Sequence, residues 1–254
     1  MKKRLKLLIS QPVPSNFHSP FHDLEKKHNL KLTFHPFVSV EGETVKNIRL
    51  KKLHIPKYGS LILTSRNAVN HYFRICDEMR INVPNSLKYF CISEAVSYYL
   101  QKYIAYRKRK IYFANNNFPE LVELMLKHEN EKFLLVSSNI MKEEIIEELD
   151  NSTLNYTRGV FFKTVSNDIS KLKLSTFDML VFYTPRDIDA LYMNFPDFQQ
   201  SETTKIAVFG EYTYKSALNK GLNIHIKAPS PEHPSMSMAI DAYLKTNKLH
   251  LRKK

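Results

Sequence analysis

The chain predicts an α/β fold built on parallel sheets, and three features of the sequence carry that prediction. Apolar runs of strand length alternate with amphipathic helical patterns from one end to the other, the signature of strand–helix–strand units. The stretch over residues 205–244, KIAVFGEYTYKSALNKGLNIHIKAPSPEHPSMSMAIDAYL, shows one whole unit. A strand runs into Gly210, a helical pattern ends near Gly221, a second strand follows, and a proline-punctuated loop opens a last helix near Ser235. Finally, two such units recur. LILTSRNAVNHYF (61–73) resembles LVFYTPRDIDALYMNF (180–195), and FCISEAVSYYLQKY (90–103) resembles VFGEYTYKSALNKG (208–221). A pair of related domains is implied, though the spacing is far too long for a solenoid repeat; coincidence between two ordinary strand–helix units is the other reading.

Taken in order, the pattern predicts a strand over 5–9 and a helix over 21–28. Extended chain follows over 31–40, broken by Pro36. Strands are expected over 60–63, 90–92, 110–113 and 133–136, each followed by a helix, over 68–79, 94–103, 119–128 and 142–149. Residues 157–165 read as extended, 179–183 as a strand and 187–195 as a helix. The unit over 205–244 then places strands over 206–209 and 223–226, with a helix between them reaching 218.

Composition narrows the function. The 254 residues are 43% hydrophobic, enough for one large or two modest cores and against disorder. The net charge of +13 concentrates anions, so nucleic acid, acidic lipid and polycarboxylates are all candidate partners. Lysine-rich composition alone also accounts for that charge. Cys76 and Cys91 sit in apolar patterns without a Cys-x-x-Cys partner, which reads as buried, reduced thiols in a cytoplasmic protein. The start, MKKRLKLLISQPVP, is basic, but its apolar run is too short for a signal peptide and lacks a small-residue cleavage site. No segment approaches the ~20 apolar residues of a membrane helix, so no membrane partner is expected.

Ligands of parallel sheets bind outside the carboxyl ends of the strands. At those positions the chain places Ser65 and Thr184 in the first repeated pair, and Ser93 and Gly210 in the second. Two readings stand side by side: the hydroxyls cap helices, or they hold carboxylates or phosphates with the helix-start amides. Four such turns, with Arg186 and Lys205 near two of them, favour an anion-binding site.

Other groupings carry less. His18 and His22 have metal-like spacing, but Pro20 lies between them and no carboxylate completes the set, so no metal is expected. Arg107-Lys108-Arg109-Lys110 after Tyr106 reads as a polar turn rather than a nucleic-acid patch, and LHLRKK as a frayed tail. Asp23 with Glu25, and Glu143 with Glu144, read as solvated helix faces.

With these residues in view, the chain resembles the uroporphyrinogen-III synthase family nearly end to end. TSRNAV (64–69) is similar to the family's T-S-x-x-A-V turn, and FYTP (182–185) to its F-x-S-P turn. KIAVFGEYT (205–213) and APSPEHPSMSMAI (228–240) resemble its K-x-x-x-x-G-x-x-T and terminal A-x-x-P-x-x-x-S-M-x-x-A-I segments. The order and spacing carry the resemblance, and they match the variant found in Bacteroidetes-type bacteria.

The resemblance implies two parallel-sheet α/β domains, one inserted in the other and joined by a two-stranded connector. Residues 1–33 with 167–254 would form the first domain, 43–158 the second, and 34–42 with 159–166 the connector. It implies a monomeric, cofactor-independent lyase. The substrate would be hydroxymethylbilane, whose hydroxyl leaves as water; ring D inverts through a spiro intermediate and closes to uroporphyrinogen III. The ligand would lie in the interdomain cleft, with its acidic arms near Ser65, Thr184, Lys205 and Thr213. Asn67, Ser93, Ser138, Arg186 and Gly210 complete the expected site, with amides at Ala68, Ile188 and Tyr212. No nucleic-acid partner is expected. The sequence departs from the family at Phe162, which falls where a connector tyrosine is common, and Tyr156 or Tyr183 is a candidate substitute. Asp187 is expected to repel a substrate carboxylate, and Ser93-Glu94-Ala95-Val96-Ser97 lacks the family's threonine, as Ser10-Gln11-Pro12 lacks its arginine. A weakened relative that binds tetrapyrrole without turnover, and a nucleic-acid-binding protein, are the alternatives.

Overall fold

In a computed structural model that describes residues 4–14 and 19–247, the chain divides into two compact units. One joins Met1–Ser39 to Val165–Lys254; the other is Val40–Thr164. Each has its own sheet. His18 and the terminal LHLRKK run lie outside the described residues.

The first unit holds a five-stranded sheet of β1 (Leu5–Ile9), β2 (Leu30–Phe34), β9 (Met179–Phe182), β10 (Lys205–Phe209) and β11 (Ile226–Ala228), in the order β11-β10-β9-β1-β2. Every pairing in it is parallel. Side chains alternate across the faces, as strand geometry requires. Leu7, Ile9, Met179 and Val181 enter one core, with α1 (Pro20–His28) and α9 (Met236–Thr246). Leu8, Leu180 and Phe182 enter the other, with α7 (Pro185–Asn194) and α8 (Glu211–Asn219). Burial on both faces explains why β9 (MLVF) and residues 206–209 of β10 (IAVF) read as unbroken apolar runs.

The second unit holds β3 (Val38–Gly42), β4 (Ser60–Leu63), β5 (Lys88–Cys91), β6 (Ile111–Phe113), β7 (Phe133–Ser138) and β8 (Tyr156–Ser166), ordered β3-β8-β7-β4-β5-β6. Its central strands β4 and β7 are buried at every position. Leu61 and Leu63 face a core with α3 (Arg66–Glu78) and α4 (Glu94–Tyr99), and Ile62 faces one with α5 (Phe118–Leu126) and α6 (Glu143–Asp150). β3 and β8 depart from the parallel rule. Glu43 N donates to Phe161 O at 2.8 Å and Asn167 N to Phe37 O at 2.9 Å, so partner numbers fall as β3 advances and the pair is antiparallel.

The helices begin where capping chemistry puts them. Ser19, Ser65, Ser93, Thr184 and Ser235 each accept a first-turn amide. Two expectations need correction, and one helix went unpredicted. The last strand is Ile226–Ala228, not 223–226, because Asn223 N donates to Gln200 Oε1 at 2.8 Å and the ladder with β10 starts only at Ala207–Ile226. The helix expected over 94–103 ends at Tyr99 and tightens into a 3₁₀ turn, Leu100–Lys102. A short helix α2 (Val45–Leu50) gave no periodic signal, since Ile48 is its one buried residue. Among the described residues, no helix is long and apolar enough to cross a membrane, and no group of three or more His, Cys, Asp or Glu is placed to hold a metal.

Candidate functional site

Parallel pairing fixes which turns share an edge. In the second unit β7, β4 and β5 are neighbours, so their carboxyl ends bring Ser138, Ser65 and Ser93 to adjacent turns. Each hydroxyl already has a task. Ser65 Oγ accepts from Ala68 N at 3.1 Å, and Ser93 Oγ from Val96 N at 3.4 Å. Ser138 Oγ accepts from Ile140 N at 3.1 Å and donates to the Ile140 carbonyl, closing its own turn. The Ala68 amide, expected to bind ligand, is thus taken up by the cap, and Ala68 itself is fully buried. Asn67 is exposed on the first turn of α3.

In the first unit β10, β9 and β1 are neighbours, and their carboxyl ends gather Gly210, Tyr212, Thr213, Thr184, Arg186 and Ser10. Thr184 and Asp187 form a reciprocal capping box: Thr184 Oγ1 accepts from Asp187 N at 3.3 Å, and Asp187 Oδ2 accepts from Thr184 N at 2.8 Å. The same Oδ2 accepts from Tyr183 N at 2.9 Å and Ser10 Oγ at 2.8 Å. Asp187 is 1% exposed, so the expectation that it repels substrate is corrected: its carboxylate points into the fold and ties β1 to the β9–α7 turn. Burial raises its proton affinity, and these hydrogen bonds oppose the rise.

Two further expectations change. Thr213 is 2% exposed and donates from Oγ1 to the Tyr183 carbonyl at 3.1 Å, a strut rather than a ligand contact. Ile188 is fully buried in the core. Gly210 takes φ +85° as the residue before α8, a conformation glycine adopts without strain, and its N–H reaches Ala228 O at 2.6 Å. Arg186 is half-exposed, 3.3 Å from Asp189, and Tyr212 is largely exposed.

Lys205 is misplaced by the sequence reading. It opens β10, opposite Met179 at the start of β9, so it lies at the amino edge of the sheet. Four residues of strand, roughly 13 Å, separate it from the Gly210 end. Its Nζ donates to Glu202 O at 3.3 Å and lies 3.2 Å from His225 Nε2.

Phe162 lies in β8 next to a register shift. Ser137 pairs with Val160 and Ser138 with Phe162, leaving Phe161 as an extra residue, so consecutive phenylalanines turn into one core. The Phe162 ring stacks on His71 of α3, with centroids 5.1 Å apart and planes 18° from parallel. His71 Nδ1 accepts from Arg74 Nε at 3.3 Å, which leaves Nε2 carrying the ring proton. Burial and the Arg74 charge lower its proton affinity, so the ring is neutral near pH 7. Arg74 is itself pinned by the Glu43 carbonyl and the Glu78 carboxylate, each at 2.6 Å. Tyr156 starts β8 at the amino edge, donates to Asp150 and has its proton affinity pushed up to about 12, first by burial. Tyr183 is raised further by burial and stacks on Phe209.

With this geometry established, comparison with known proteins is direct. The family model described as uroporphyrinogen-III synthase HemD matches residues 22–237. The chain belongs to the uroporphyrinogen-III synthase family. As such it is an enzyme of tetrapyrrole biosynthesis, a lyase that acts without cofactor, and the substrate of its family is hydroxymethylbilane. The fold is similar to that of a mutant uroporphyrinogen III synthase from the extremely thermophilic bacterium Thermus thermophilus, at TM-score 0.62 and 11% identity, covering 95% of this chain and 99% of that one. It is also similar to the uroporphyrinogen-III synthetase from Helicobacter pylori, at TM-score 0.58 and 16% identity, covering 96% and 100%. No curated protein sequence gives a significant match.

Within this synthase, sequence reading missed two side chains that the fold makes prominent. His71 sits one helical turn beyond Asn67 and carried no signal, since a lone histidine on an amphipathic helix reads as surface. Ser10, beside the Gln11 that stands where the family's arginine is expected, carried no signal, while the fold uses its hydroxyl to hold Asp187.

Proposed function

We propose that this synthase folds hydroxymethylbilane by holding its acidic arms at strand-end turns, and that His71 assists departure of the hydroxyl. The family match over residues 22–237 is the observation that carries the reaction. Ser65, Asn67 and Ser93 in the second unit, and Thr184, Arg186 and Tyr212 in the first, would hold acidic arms. The capping hydroxyls accept amide hydrogens and still have a proton to donate to a carboxylate. First-turn amides have no acceptor inside their own helix and favour anions. Ala68, Ser138, Ile188, Gly210, Thr213 and Lys205 leave the proposed contact set, for the geometric reasons given above.

Holding the bilane so that the inverted closure outruns the spontaneous one is a task of proximity and orientation. Water leaves, the azafulvene carbon attacks ring D at its substituted position, and the spiro intermediate reopens and recloses. Phe162 has no proton to give to the departing oxygen. The His71 imidazole, stacked on that ring with its N–H at Nε2, supplies a hydrogen-bond donor. Residues 34–42 and 159–166 serve as connecting strands, and the protein works as a cytoplasmic monomer with no nucleic-acid or membrane partner. A coupled assay that makes the bilane in place tests the reading: type III product should exceed the spontaneous background. Type I product alone at high protein concentration rejects it, and tight bilane binding without isomer selection identifies a binding-only relative.

A further inference from the structure

We propose that the amino edge of the first unit's sheet carries a second binding site, for a small organic carboxylate gripped by Lys205 and His225. The two side chains meet with 3.2 Å between Nζ and Nε2. His225 lines a cavity of about 370 Å³ with Tyr192, Lys220 and Asn223. A neighbouring cavity of about 510 Å³ shares Phe198, Gln199 and Ser201 with it and adds the apolar walls Leu174, Phe195 and Pro196. Such volumes suit a small organic ligand. The floor is rigid, because the Gln200 amide bonds Thr204 O, Asn223 O and Asn223 N.

Lys205, Lys220 and His225 gather here, and Asp178, whose carbonyl takes the Lys205 amide at 2.9 Å, turns its carboxylate to Lys6 N at 2.9 Å. Lys220 Nζ lies over the Tyr192 ring at 5.3 Å, and Tyr192 lines the cavity. Glu202 is the carboxylate on the cavity wall, yet Lys205 takes its backbone oxygen. Among the described residues, no carboxylate is within ion-pair distance of Lys205, Lys220 or His225. Asp197 faces the neighbouring cavity, and from α9 the edge of the Tyr243 ring meets His225, with centroids 6.5 Å apart. His225 is held neutral first by burial and then by Lys205, with the Asn223 backbone pulling the other way.

Ile206 N donates to His225 Nδ1 at 3.4 Å, so the neutral ring carries its proton on Nε2, and that N–H and Lys205 Nζ face each other as two donors. A carboxylate entering between them would accept from Lys205 Nζ and from a protonated Nε2, making two charge-assisted bonds and offsetting the repulsion. The apolar walls give the rest of the molecule somewhere to lie. This edge is the opposite one from the turns assigned to the bilane, so the site stands apart from the reaction.

Nuclear magnetic resonance of the labelled full chain, titrated with sodium benzoate at constant ionic strength, tests the proposal. We expect saturable shifts at the His225 ring and a rise in its titration midpoint. K205Q should bind benzoate about tenfold more weakly and show no such rise, while making type III product at the wild-type rate. H225Q, read by the same backbone shifts, should weaken binding similarly if K205Q fails to fold. Equal binding of neutral benzyl alcohol, shifts linear in benzoate, or unchanged affinity in a folded K205Q or H225Q protein would overturn the proposal.

Discussion

Ser10 Oγ donates to Asp187 Oδ2 at 2.8 Å, a bond between residues 177 positions apart that fastens the end of β1 to the first turn of α7. The same oxygen takes the Tyr183 and Thr184 amides, so one buried carboxylate orders the turn that presents Thr184 and Arg186.

D187A should therefore destabilise the protein by about 3 kcal/mol, because three buried or partly buried donors lose their acceptor. D187N keeps an oxygen in place and should cost much less. The pH dependence has a definite sign. Burial raises the Asp187 proton affinity above its ordinary value of 3.8, so its favourable contribution is full below that pH and falls as pH rises through the folded value. Urea midpoints of wild type minus D187N, followed upward from pH 3, should decline; a rising difference would contradict the burial argument.

Asp241 predicts the opposite sign. It bonds His28 Nε2 at 2.6 Å, and Lys27 and Lys245 at 2.9 Å each, joining α1 to α9. The His28 bond first, then those lysines, depress its proton affinity below 3.8. Its contribution is present above 3.8 and lost as pH falls through the folded value. D241N should lower stability by about 1–2 kcal/mol at neutral pH, with the gap to wild type closing in acid, as thermal melts across the acid range would read.

At the β10–α8 turn, two substitutions separate a strut from a backbone constraint. T213A removes the bond to the Tyr183 carbonyl and should cost about 1 kcal/mol of stability. G210A meets no atom within 4 Å, but its φ of +85° disfavours any side chain, so about 1–2 kcal/mol of strain is expected. Both should leave the bilane KM nearly unchanged; a large KM effect in T213A would return Thr213 to the ligand contacts.

The pair His71 and Phe162 tests the chemistry. H71A should lower kcat with little change in KM, since a contact to the departing oxygen matters most in the transition state. F162Y alone should change little, while F162Y in the H71A background should recover part of kcat by placing a phenol beside the vacated imidazole. Full activity in H71A would remove His71 from the reaction.

The sequence by itself determined the local structure and the family. Apolar runs bounded by serine, threonine and glycine marked strands and helix starts because burial on both sheet faces and capping chemistry act over a few residues. Ser65, Ser93, Thr184 and Gly210 were thus read at their turns, and their order along the chain carried the resemblance. What only the tertiary structure decided is where side chains point and which ends of strands meet. Lys205 and Gly210 are neighbours in sequence but stand at opposite edges of one sheet, because a strand advances about 3.3 Å per residue. Asp187 looked like an exposed charge, and became a buried acceptor only because β1 lies beside β9 and delivers Ser10. His71 met Phe162 through a register shift that local periodicity cannot encode. Short-range forces write themselves into a sequence pattern; contacts between distant elements depend on the packing of the whole sheet.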